Sequence, residues 1–137
     1  MTVETDDDAV RKALTPLAPG IAARIRVMQE ARRSGIKVQA AVSPVLPHDA
    51  LKFAPLLAKM ADRVIVDTYT SGDGAHGRRT AATPISALYA QLGWTNWRDE
   101  SAAHRLHDEV GRLIGADRVS WSQAGFNWLA QQVAIAD

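Results

Sequence analysis

Apolar residues along this chain alternate between helical spacing and short unbroken runs, and that alternation is the first thing the sequence says about its fold. Ile21, Ile25 and Met28 fall at i, i+4 and i+7, with Ala31 close by, and predict a helix over Ile21–Ser34. Arg24, Arg26, Arg32 and Arg33 lie mostly off that apolar face. Gly35 is placed to end the helix in the left-handed conformation. Lys37–Val42 follows as a strand whose small apolar residues Val38, Ala40, Ala41 and Val42 occupy both faces, the pattern of a strand covered on two sides. Leu51–Met60 is a second helix, with Leu51, Ala54, Leu57 and Ala58 expected inside and Pro55 expected to kink it or mark its first turn. Arg63–Asp67 is the strongest strand, and Thr2–Thr5 reads as a short one before an Asp-capped helix begun by Asp6, Asp7 and Asp8.

Beyond Asp67 the pattern loosens. Thr70–Thr83, with its glycines, predicts a long flexible loop. Pro84 opens a short helix to Leu92, Gly93–Trp97 is a turn, and Glu100–Ile114 is a long helix carrying Ala103, Leu106, Val110, Leu113 and Ile114. Arg118–Trp121 reads as a short strand and Ala124–Ala134 as a last helix. Helix followed by strand, repeated, predicts an α/β chain with parallel strands and right-handed crossovers. In such folds sites gather where the strands end at their C-termini.

Composition adds limits. The 137 residues suffice for one core and are short for two. A net charge of +1 gives no global drive toward nucleic acid or an anionic membrane. No apolar run reaches spanning length, and the acidic start MTVETDDD is unlike a secretory signal, so a cytoplasmic protein off the membrane is expected. The sequence has no cysteine, which removes disulfides and thiolate ligands.

One ordered series carries a resemblance. Ala18-Pro19-Gly20, then Arg24-Ile25, then a helix ending Gly35-Ile36, then a strand ending Ser43-Pro44 with Pro47, resembles the later half of radical SAM enzymes, nearest the spore photoproduct lyase-like (DNA photolyase-like) branch. The likeness extends upstream through Val3–Asp7 and downstream through Asp62–Thr68, about half of a catalytic domain. It implies a fold of the last three β/α units of a partial (β/α)6 TIM-like barrel over 1–83, with a mainly helical C-terminal extension over 84–137. It also implies S-adenosylmethionine as cofactor: Glu4, Thr5 and Asp6 toward the ribose or sulfonium side, Ala41, Val42 and Ser43 along the adenine, Asp67 and Thr68 at the adenine edge. The same residue types also serve as ordinary strand ends bonded to local backbone.

Two departures qualify the likeness. The family commonly has Glu before the first proline, where this chain has Thr15, so Arg24 is expected to turn to Asp6, Asp7 or solvent. The family's three cluster cysteines are missing, and a [4Fe-4S] cluster needs thiolates. The resemblance therefore implies a C-terminal portion inactive alone, whose partner is the missing N-terminal half or a second copy of itself. Only the family branch points to a nucleic-acid substrate.

Other residues offer chemistry of their own. The Ser71–Arg79 loop holds Gly72, Gly74, Arg78 and Arg79, and glycine-rich loops after strands can cradle phosphate, though the Walker ending is absent. This supports an alternative: a stand-alone, non-catalytic binding or self-assembling α/β module, taking phosphate or nucleotide through Gly72–Arg79. His104 and His107 share a helical face but lack a third ligand, and His48 and His76 lie in loops, so no metal is expected and a solvated face is. Asp99 or Asn96 with Glu100 reads as helix initiation. Trp94, Trp97, Trp121 and Trp128 read first as packing of the C-terminal part, and second as stacking surfaces for bases.

Overall fold

The computed structural model describes residues 1–94 and 96–127. Trp128 and most of the expected last helix lie outside the described residues, but 122–127 is helical. The chain runs α1 (Asp8–Leu14), α2 (Ile21–Arg33), β1 (Gln39–Val42), α3 (Ala50–Met60), β2 (Arg63–Val66), α4 (Tyr69–Gly72), α5 (Arg78–Ala81), α6 (Ile85–Gln91), α7 (Ser101–Ile114) and β3 (Val119–Trp121). It is a mixed α/β protein, mainly helical, around a three-stranded sheet in the order β1-β2-β3.

Both strand pairs are parallel: Gln39 faces Arg63, Val42 faces Val66, and Val64 faces Val119. The expected strand at Thr2–Thr5 is a single parallel bridge, Thr2 to Ala41, with the Val3 N–H donating to the Ala41 carbonyl at 2.9 Å. It extends the sheet on the far side of β1. The described strands thus make an open parallel layer.

Helix ends follow local chemistry. Asp7 caps α1 through the N–H groups of Ala9 and Val10. Gly35, at φ +80°, follows α2, and the Ile36 N–H reaches back to the Ala31 carbonyl. Asp49 caps α3, which places Pro55 beyond its first turn.

Val3, Ala40, Val42, Val64 and Val66 share one core with Met28 of α2, Phe53, Leu57 and Met60 of α3, and Leu106 and Val110 of α7. The segment beyond residue 84 therefore supplies both a strand and a covering helix. α3 buries Ala54 and Leu57 as its pattern suggested, but Phe53 and Met60 join them, while Leu51 is 73% exposed and Ala58 only half-buried. Packing of Phe53, Leu57 and Met60 against the sheet and α7 decides which face is buried, and Leu51, in the first turn, is left outward.

The sheet's second face is covered in part by the chain itself. Gly125, in the 122–127 helical run, is buried, and a Cβ there would stand 3.0 Å from Ile65 side-chain carbons and 2.7 Å from Ser120 Cβ.

The Thr70–Thr83 segment, read as a flexible loop, is folded. α4 and α5 are short helical turns joined through Asp73, whose carboxylate accepts from the N–H groups of Ala75, Gly77 and Thr80 at 2.7, 2.9 and 3.1 Å. Gly77, at φ +80°, reverses the chain between them. Among the described residues no helix is long and apolar enough to cross a membrane.

Candidate functional site

Parallel strands bring their C-terminal exits to one edge. Glu4, Thr5 and Asp6 leave the bridge strand there, Ser43 leaves β1, and Asp67 and Thr68 leave β2. The 43–48 loop then crosses the rim and ties it together. The Val45 N–H donates to the Asp67 carbonyl at 2.7 Å, and the Leu46 N–H to the Glu4 carbonyl at 2.9 Å. The residues singled out from sequence at the strand ends therefore share one rim.

Their polar atoms are largely committed within the chain. Glu4 is buried and its Oε2 accepts from Arg24 Nη1 at 2.8 Å. The same Nη1 lies 2.8 Å from the Thr2 carbonyl oxygen. Arg24, expected to pair with Asp6, Asp7 or solvent, is instead buried at the sheet edge, because α2 runs beside the bridge strand. Thr5 Oγ1 donates to the Pro47 carbonyl at 2.7 Å, and Asp6 accepts from the Asp49 N–H at 3.2 Å. Asp67 Oδ1 accepts from the Thr68 N–H at 2.9 Å, and Ser43 Oγ donates to Asp67 Oδ2 at 3.3 Å. Ala41 is half-buried and faces away from the core.

A small cavity of about 160 Å³ lies on this rim, lined by Ser43, Pro44, Asp67, Thr68, Gly72 and Asp73 among others. Gly72 is required there. A Cβ at that position would stand 2.8 Å from Asp67 Cγ and 2.9 Å from its Oδ1.

Glu100, read as a helix starter, does more than begin α7: its carboxylate Oε1 accepts from the hydroxyls of both Thr68 and Ser71, the latter at 2.8 Å. This pins α7 to the exit of β2. The adjoining cavity, about 230 Å³, is lined by Tyr69, Tyr89, Trp94 and Trp97 together with His48 and Asp99. Tyr69 lies edge-on to Trp97 and Tyr89 to Trp94. Burial pushes the Tyr69 phenol above its ordinary range, with the Glu4 carboxylate adding to the shift. Burial does the same to Tyr89, helped by Tyr69. Tyr69 and Tyr89 drew no notice in the sequence. The signal available was the density of aromatics between 89 and 97, which packing alone accounted for.

The glycine-rich turn shows a different chemistry from a phosphate cradle. The Ala75, Gly77 and Thr80 N–H groups that would hold an anion already hold Asp73. Desolvation pushes the Asp73 carboxyl up, but those three donors outweigh it and hold the group at about 2. Gly72 and Gly74 are exposed, as are Arg78 and Arg79, and Arg79 Nη1 donates to the Asp73 carbonyl at 3.2 Å.

The histidine pair sits against an aromatic ring. His104 stacks on Trp121 at 4.1 Å and 7°, and His107 meets the same ring nearly at right angles. Among the described residues no group of three His, Cys, Asp or Glu side chains could hold a metal ion. No family model matches the chain, and no curated protein or solved structure matches it.

Proposed function

We propose that this chain is the C-terminal portion of a radical SAM-type protein of spore photoproduct lyase-like character, contributing the nucleoside-facing rim and part of the substrate mouth. The carrying observation is the parallel register of β1 and β2 beside the Thr2 bridge, which sets Glu4, Ser43 and Asp67 on one edge. In this reading Ala41 and Ser43, on the same side of β1, face the adenine while Val42 turns into the core behind them, the backbone of Asp67 and Thr68 meets the adenine edge, and Glu4, Thr5 and Asp6 stand toward the ribose. Glu4 fits that role through the carboxylate oxygen not taken by Arg24. S-adenosylmethionine would supply the radical chemistry only with a [4Fe-4S] cluster, and the thiolates for it must come from another segment, since this sequence has no cysteine. Alone, the chain binds and orients but does not react.

The outer edge of the Thr2 strand is occupied by Arg24. Met1 and Val3 spend their bonds on β1, which leaves the Thr2 carbonyl pointing outward to Arg24. Nε and Nη2 of Arg24 are buried, with no acceptor among the described residues.

The test is a titration of the chain with S-adenosylhomocysteine, read by backbone amide shifts. Millimolar binding should move the amides of Ser43, Val45, Asp67 and Thr68 ahead of all others. No movement at millimolar ligand, or movement centred elsewhere, sinks the assignment.

The alternative, a self-assembling module using the Gly72–Arg79 turn for phosphate, draws on the exposed Arg78 and Arg79. Asp73 stands against it, because an incoming anion would have to displace that carboxylate.

A further inference from the structure

The cavity beside α7 has the construction of a cation cage. Two pairs of rings line it, and within each pair the planes stand nearly perpendicular. Tyr69 and Trp97 have centroids 6.1 Å apart at 89°, and Tyr89 and Trp94 are 5.7 Å apart at 74°. Each pair is in edge-to-face contact, and all four rings bound the same cavity, so aromatic surface makes up much of its wall. A quaternary ammonium group is attracted to such faces and needs no hydrogen-bond acceptor, which an apolar wall cannot offer.

The electrostatics have the matching sign. Asp99 lines the cavity, and the Ser101 N–H, 2.9 Å from its Oδ1, holds its carboxyl below the ordinary range, so it is an anion at neutral pH. Arg98 places its guanidinium carbon 4.5 Å over the Trp97 ring, so that face is already taken and a second cation must rely on the other rings and on Asp99. His48, also on the wall, donates from Nδ1 to the Leu46 carbonyl at 2.8 Å, which fixes its ring against the 43–48 loop. At about 230 Å³ the space suits a small molecule, since a cavity of ~150 Å³ admits benzene.

We propose that the cavity walled by Tyr69, Tyr89, Trp94 and Trp97, with Asp99 at its edge, binds a small quaternary ammonium compound of about choline's size. The proposal is tested apart from the nucleoside assignment, because choline carries no nucleoside and S-adenosylhomocysteine carries neither a sulfonium nor a quaternary ammonium.

Choline is titrated into the full chain by calorimetry at low salt, beside its uncharged tert-butyl analogue, which has the same shape. Choline should bind in the millimolar range, and the analogue about tenfold more weakly, the factor that one or two cation–π contacts supply. Trp94→Leu should remove most of that tenfold preference, because the lost ring face acts on the charged ligand in addition to the apolar contact that both ligands lose. Asp99→Asn keeps the capping acceptor for Ser101 and should weaken choline alone, by about threefold to tenfold. Circular dichroism confirms that each variant is folded, and a variant that is not is replaced by Tyr89→Leu. Equal affinity for choline and its analogue overturns the proposal. So does no choline binding up to about 50 mM, or a folded Trp94→Leu protein that keeps the wild-type preference.

Discussion

At the scale of single residues, Gly72 and Asp73 show how one side chain dictates another. The Asp67 carboxylate fills the space a Cβ would need at residue 72. Gly72→Ala must push that carboxylate off the Thr68 N–H and the Ser43 hydroxyl, and should cost about 1–3 kcal/mol in urea unfolding. An unchanged midpoint would show that Asp67 moves without loss. Asp73 makes a pH prediction whose sign follows from its depressed value of about 2. A carboxyl lowered in the folded state contributes stability above its unfolded value, near 4, and loses it as pH falls toward 2. Wild type should therefore exceed Asp73→Ala in stability at neutral pH, and the gap should narrow between about pH 4 and pH 2. A gap constant across that range would mean the three N–H contacts do not act on the charge.

Elements show where pattern and packing part company. Helical spacing in Leu51–Met60 located α3, but two apolar faces were open to it, and the structure buries Phe53 and Met60 in place of Leu51. Leu106→Ala, at a fully buried site of α7 against this core, should cost about 2–5 kcal/mol, whereas Leu51→Ala should stay within about 0.5 kcal/mol. Denaturant midpoints for the two variants decide it, and similar values would contradict the assigned face. The 122–127 run makes the complementary case. With Gly125 against Ile65 and Ser120, Gly125→Ala should destabilise by about 1–3 kcal/mol through overpacking. Loss of the α4–α5 loop reading has a local cause: one carboxylate, Asp73, organises a run of small residues whose composition alone reads as flexible.

The whole molecule is an open parallel layer whose one face carries the core and whose other face is covered at Ile65 by its own chain. That cover weakens the need for a second copy. Light scattering should report a monomer at micromolar concentration, and a stable dimer would mean that the sheet face or the Arg24 edge still seeks a partner. The edge itself is half sealed, since Arg24 takes the Thr2 carbonyl but keeps two buried N–H groups without acceptors among the described residues.

Periodicity and local punctuation located the longer helices and the two strands within Lys37–Val42 and Arg63–Asp67, and their alternation implied the common direction that gathers Glu4, Ser43 and Asp67 on one rim. These rest on interactions a few residues apart: apolar spacing, Asp caps and the Gly35 stop. Only tertiary structure decided that Glu4 pairs with Arg24, that Thr68 and Ser71 clasp Glu100, and that Tyr69, Tyr89, Trp94 and Trp97 wall one cavity. Each of those joins residues from distant parts of the chain. Their choice depends on how helices pack across the sheet, and no local pattern encodes that.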